Sequence, residues 1–326
     1  MLILTFLPGR GALTSVAGRP TWEPTTSGRP TSVGVTQIGP NAAGTSLAAG
    51  LLRTARPKQW SKNLLVAAAP VAAGTYDAGT LRGTGAAFVT FSVAASAVYF
   101  LNDVIDVRKD RLHPVRRLRP IAAGTVPERL ALVCAAVLAL AALGLAAAWR
   151  PQAAGVIGIY LLVNTLYCLK LKHVVIVELA TVASGFLLRA VFGGVMAGLP
   201  LSQWFLIVVG AAALFMVAGK RFSELALLGP KATATRPGLE HYSADYLRFV
   251  WQASGTVAMT TYCLWAFELP GRQLTVVPLA LAFLRYGWHV DRGEAGEPEA
   301  VVLRDPWLLG LAAVWIVLFV AGTARG

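Results

Sequence analysis

Long apolar runs alternate with short polar connections along most of this chain. Runs long enough to cross a bilayer as helices, about 17 to 25 residues each, fall at roughly 60–76, 84–105, 128–149, 152–170, 174–193, 202–219, 246–268, 273–289 and 306–323. They are continuous rather than alternating with period two, so they predict helices and exclude the ten-residue strands of a β-barrel. The expectation is an all-α polytopic membrane protein with nine spans in one domain over 47–326. Residues 1–46 break the pattern: rich in Gly, Pro, Ser and Thr, with a short apolar start at Leu2 to Leu7, they read as a disordered tail. No basic stretch precedes Leu2, which argues against a signal peptide.

Composition agrees, since 56% hydrophobic and 14% charged residues exceed what one soluble core needs. Of 29 Lys and Arg, 20 fall on one side of the nine-span topology and four, Arg82, Arg150, Arg272 and Arg325, on the other. The positive-inside rule makes the rich side cytoplasmic, and a plasma-membrane location is expected. The net charge of +13 is then mostly a property of one face, part of it available to anionic headgroups. Nothing interleaves aromatic and basic residues on a soluble domain, so no nucleic-acid partner is expected. Cys134, Cys168 and Cys263 lie in apolar runs without CxxC spacing and read as buried thiols. His113 and His173, in charged connections, read as solvated or capping.

The chemistry gathers where the second run ends, at Asn102-Asp103-Val104-Ile105-Asp106-Val107-Arg108-Lys109-Asp110. On a continuous helix Asp103, Asp106 and Asp110 fall within about 60° of one another, so three carboxylates face one way and need a cation. With the Asn102 carboxamide they offer hard oxygens that suit Mg²⁺, which typically also bridges to substrate phosphates. Arg116 and Arg119, in the basic stretch that follows, can clamp phosphate oxygens. Three other connections on the same side carry candidates. Arg56 to Asn63 holds Lys58, Lys62 and Asn63, the last two at an expected helix start, where backbone N–H groups favour an anion. Tyr167 to His173 holds Tyr167, Lys170 and Lys172, and a fourth connection reads Lys220-Arg221-Phe222-Ser223-Glu224. Glu178 and Arg189 share a helix face at about 20° separation, and Arg189 reads equally as structural or catalytic. Burying such groups in lipid costs several kcal/mol each, so their clustering marks function: a polyanion held with a metal at one membrane face.

At these residues the chain resembles the UbiA superfamily of intramembrane prenyltransferases, whose first signature, NDxxDxxxD followed by RPIxxG, matches Asn102 to Asp110 and Arg119 to Gly124. The resemblance implies nine helices around a central cavity open to the cytoplasm and to lipid. The superfamily's second motif, an aspartate pair of DxxxD type, is missing, and Lys220-Arg221-Phe222-Ser223-Glu224 stands there instead. With RPKQWSKN at Arg56 to Asn63, YCLKLKH at Tyr167 to His173, PLSQWF at Pro200 to Phe205, FMVAGKRFSEL at Phe215 to Leu225, YLRFVW at Tyr246 to Trp251 and GEPE at Gly296 to Glu299, it is similar to one branch of the superfamily over about residues 50–326. One local departure is Glu178, where that branch leads us to expect Asp.

The resemblance implies transfer of 5-phosphoribose from phosphoribosyl diphosphate to a polyprenyl (decaprenyl) phosphate, for the arabinose donor of a cell wall. It implies Mg²⁺ on Asp103 and Asp106. Asp110 is left to hold a second metal, orient water or contact ribose hydroxyls, and a homo-oligomer stays open. The rival within the fold is a prenyltransferase taking an isoprenoid diphosphate and an aromatic acceptor. A transporter would show paired broken helices at the midplane, whereas here the charged motifs sit at one face.

Overall fold

The computed structural model describes residues 46–228 and 241–323, and every regular element among them is helical. The tail expected over 1–46 lies outside the described residues apart from Ser46. Helix α1 (Leu47–Ala55) begins where the Ser46 hydroxyl accepts the Ala49 N–H at 3.3 Å. It stops at Arg56, whose left-handed φ of 53° turns the chain into Pro57. A 3-10 stretch, Pro57–Ala67, follows and passes into α2 (Ala68–Ala73). The first predicted run is therefore two short pieces and not one α-helix. Lys62 and Asn63 lie inside the 3-10 stretch rather than at a helix start.

That stretch presses backbone to backbone on α7 (Val177–Ala197): a Cβ on Gly193 would lie 1.8 Å from the Val66 carbonyl oxygen. Gly193→Ala must push the two segments apart, and we expect a loss of at least the roughly 1–3 kcal/mol typical of overpacking. Thermal unfolding of the purified variant in detergent measures it, and an unchanged midpoint would refute the contact.

Helix α3 (Ala78–Ile105) starts at Asp77, whose Oδ1 accepts the N–H groups of Gly79 and Thr80 at 2.8 and 3.1 Å. It runs through the bundle with small residues such as Gly83, Ala87, Ala94 and Ala95 buried, which lets neighbours approach closely. Around it stand α5 (Glu128–Trp149), α6 (Pro151–Leu169) and α7, while α8 (Gln203–Leu228) packs on α7. Val133, Val137 and Leu140 of α5 lie exposed one turn apart, the outward stripe of a lipid-facing helix.

Among the described residues five helices, α3 and α5 to α8, are long and apolar enough to cross a membrane. A sixth span arises if α11 (Pro298–Arg304) and α12 (Pro306–Thr323), bent by 84°, count as one. The other predicted runs are present as α9 (Ala244–Glu268) and α10 (Val276–Asp291), but fall short of that standard, α10 because it has only 16 residues. The α11–α12 bend is fixed by Asp305, which accepts Arg285 Nε at 2.7 Å, His289 at 2.6 Å and the N–H of Trp307 at 2.8 Å.

Long-range polar contacts join connections assigned to the same face. Arg272 donates to the Ala72 carbonyl at 2.9 Å and Trp149 to that of Met196 at 3.0 Å on the poorly basic face. On the basic face Lys62 meets Glu299 at 3.4 Å and the Tyr242 hydroxyl accepts the Ile176 N–H at 2.7 Å. The three cysteines are free thiols, Cys168 buried.

Candidate functional site

Asn102 and Asp103 sit in the last turn of α3, Asp106 at the break that follows, and Asp110 on the short α4 (Val107–Leu112). The continuous helix assumed for a shared aspartate face thus ends at Ile105, although Asp110 N–H still bonds the Asp106 carbonyl at 2.9 Å. Asp103 and Asp110 are buried, 2% and 1% exposed, and converge on one guanidinium: Arg119 Nη1 donates to them at 3.2 and 2.7 Å. Arg56 also donates to Asp103. Asp106 turns aside to Lys172, whose Nζ is 2.6 Å away. Asn102 Oδ1 accepts the Cys168 thiol at 3.4 Å. Cations from three separate connections therefore neutralise the acidic motif.

The remaining candidates divide by location. Lys58 and Lys170 are exposed, whereas Arg116, Tyr167 and Lys220 are half-buried. Asn63 is fully buried, donating to Ser92 Oγ at 3.0 Å and accepting Arg189 Nε at 2.8 Å. Arg189 also donates to the Gly185 carbonyl and lies 4.8 Å over the Phe91 ring, inside the bundle. Its facial neighbour Glu178 instead takes Arg221 across from α8, Nε at 3.1 Å with a second, shorter bond from Nη2. Glu224 accepts Arg221 Nη1 at 3.2 Å and lies 3.9 Å from Lys220. Sequence reasoning left Arg56 and Glu299 out of the candidate set; the signals were the RPKQWSKN and GEPE stretches that contain them.

His173 borders this rim. Slight desolvation first, then the charges of Lys109 and Lys172, hold the exposed ring below the ordinary histidine range. His113 acts as a cap, its Nδ1 accepting the N–H groups of Val115 and Arg116 at 3.2 Å each.

Among the described residues no group of three or more His, Cys, Asp or Glu side chains is close enough to hold a metal alone. The donor set nonetheless fits Mg²⁺, which is usually bound through one or two carboxylates with substrate phosphates and water completing its shell. Asp103, Asp106 and the Asn102 carbonyl are hard oxygens on adjacent turns. Asp110 Oδ1 is buried with no hydrogen-bond partner, an anionic oxygen whose placement a cation would justify.

Residues 63–309 match the model of the UbiA prenyltransferase family. The decaprenyl-phosphate phosphoribosyltransferase of Mycobacterium tuberculosis is 47% identical over 293 residues, 86% of this chain and 96% of its own length. The proteins of the same name from Mycolicibacterium smegmatis and Corynebacterium glutamicum are 44% and 43% identical over 83% and 84% of this chain, and 91% and 87% of their own. A UbiA homologue from Archaeoglobus fulgidus, solved with GPP and Mg²⁺, superposes with a TM-score of 0.65 at 16% identity, over 84% of this chain and 98% of that one. At that identity the superposition speaks for the fold alone. From the family match and the three relatives together, this chain belongs to the UbiA prenyltransferase family.

Proposed function

We propose that this protein transfers 5-phosphoribose from phosphoribosyl diphosphate to a polyprenyl phosphate in the bilayer, releasing diphosphate. The observation that carries the reading is the 47% identity, over nearly the whole of the relative, to a decaprenyl-phosphate phosphoribosyltransferase. The site supports it. Where a second aspartate pair would serve a prenyl diphosphate, Lys220 stands half-buried beside Arg221, which Glu178 and Glu224 engage, and a donor with an additional phosphate needs additional positive charge. In the reaction an acceptor phosphate oxygen forms a bond to ribose C1 as the bond from C1 to the diphosphate oxygen breaks.

Asp103 and Asp106, with the Asn102 side-chain carbonyl, would hold Mg²⁺, which would supply positive charge for the departing diphosphate. Arg119, Arg56 and Lys172 place N–H donors beside the same carboxylates, where phosphate oxygens can exchange with them. A phosphate monoester is already anionic near neutral pH, so the step needs positioning and charge stabilisation rather than a strong base. The wider reading is a nine-helix bundle whose cavity opens to the cytoplasm and to lipid, in the plasma membrane, supplying arabinose precursors for a cell wall.

The test is to give the purified protein radiolabelled phosphoribosyl diphosphate with polyprenyl phosphate, and separately geranyl diphosphate with an aromatic acid. A lipid-linked phosphoribose in the first reaction only is expected. Product in the second reaction only would overturn the proposal in favour of prenyl transfer.

A further inference from the structure

At the ends of α3, α5 and α7 remote from the aspartates, a cavity of about 520 Å³ opens between Asp77, Arg82, Trp149, Arg150 and Leu199. Arg82 and Asp103 are 21 residues apart on α3, about 30 Å of helix, so this cavity is separate from the acidic motif. Positive charge is scarce on this face. Of its three described basic residues, Arg272 is committed to the Ala72 carbonyl and to the rings of Trp265 and Phe319. The other two, Arg82 and Arg150, both line the cavity.

Among the described residues no carboxylate pairs with either arginine. Asp77, the acidic residue in the wall, has both oxygens engaged within its own turn: Oδ1 by the N–H groups of Gly79 and Thr80, Oδ2 by the Thr80 hydroxyl at 2.6 Å. Arg82 uses only Nε, on the Ala78 carbonyl at 3.1 Å, which leaves its two Nη groups for a ligand. Arg150 makes no side-chain hydrogen bond among the described residues. Its guanidinium lies across Gly198, where φ is +73° and a Cβ would come within 2.5 Å of Nη2. The end of α7 is thus shaped to seat that cation. Trp149 anchors the rim, with its indole N–H on Met196 and its ring half-exposed, as at a membrane interface.

We propose that this cavity binds the phosphate of a lipid headgroup in the leaflet opposite the aspartates, with Arg82 and Arg150 as its cationic ligands. Guanidinium groups recognise phosphate oxygens bidentately. The volume suits a headgroup. Lipid is favoured over free phosphate because the cavity sits at the helix ends beside Trp149 and Leu199, where headgroup phosphates are concentrated.

The test uses the full chain in a zwitterionic detergent and follows thermal unfolding during titration with phosphatidylglycerol, with inorganic phosphate as a separate arm. Phosphatidylglycerol is expected to raise the midpoint of the parent. The titration should shift to roughly tenfold higher lipid concentration in Arg82→Gln/Arg150→Gln, the loss of charge-assisted bonds. It should not shift in Arg117→Gln/Arg129→Gln, which removes two charges from the basic face. If the double variant fails to fold, Arg82→Gln alone carries the test, because its side chain makes only one backbone bond. An unshifted titration in the Arg82 variants, or an equal shift in the basic-face variant, would overturn the site. Equal stabilisation by inorganic phosphate at the same concentration would overturn its assignment to lipid.

Discussion

Asp103→Asn is expected to cut phosphoribosyl transfer by roughly 10²–10³-fold, the loss typical of removing one preorganised charge-stabilising group, while the bundle still assembles. The substitution keeps shape and one accepting oxygen but removes the charge. Asp103 is 2% exposed and bonded to both Arg56 and Arg119, so its carboxylate sets the position of two cations, and in the proposed reaction it would also hold the metal. Stability suffers less than activity. Arg119 keeps Asp110 at 2.7 Å, and both arginine side chains, 28% and 29% exposed, can recover hydration. The check is the radiolabelled transfer assay beside a melting curve and a Mn²⁺ titration read by electron paramagnetic resonance. Activity within tenfold of the parent, or unchanged Mn²⁺ affinity, would remove Asp103 from the metal site.

The pairing around Asp103 also shows what a sequence can and cannot disclose. The apolar runs located the helices because burial in lipid imposes length and composition on each span locally. The first run was misjudged for a tertiary reason: the Gly193 backbone lies against Val66, and the segment takes a 3-10 form under that contact. Hydropathy carries no trace of a partner 127 residues away. The acidic motif was legible as a motif, but the shared face assumed a straight helix, and the chain breaks at Asp106. Arg119, Lys172 and Arg221 read as phosphate ligands because basic residues beside an acidic motif suggest a polyanion. The structure places them on Asp103 and Asp110, on Asp106, and on Glu178. Each pairing spans 9 to 66 residues of chain, so spacing rules for a single helix could not reach it.

The largest effect on stability is expected from Arg221→Met. Arg221 and Glu178 face each other between α7 and α8, with side chains 5% and 9% exposed. Removing one member of a buried pair leaves the other charged without a partner in low dielectric, a loss of about 3–5 kcal/mol. The two members are not equivalent. Arg221 has a second carboxylate in Glu224 at 3.2 Å, whereas Glu178 has only Arg221 for a cation among the described residues. Arg221→Met should therefore destabilise more than Glu178→Gln, in which Arg221 retains Glu224. The double variant Arg221→Met/Glu178→Leu, which removes both charges, should lie well below the sum of the single losses. Chemical unfolding of the three purified variants in detergent micelles ranks them, and equal losses from the two single changes would contradict the asymmetry. The same proteins separate the two roles open to Arg221. If the guanidinium only ties α7 to α8, transfer activity per folded molecule stays at the parent level in Arg221→Met. If it also reaches a donor phosphate from its place beside Lys220, kcat/KM for phosphoribosyl diphosphate falls in the folded fraction by roughly tenfold or more.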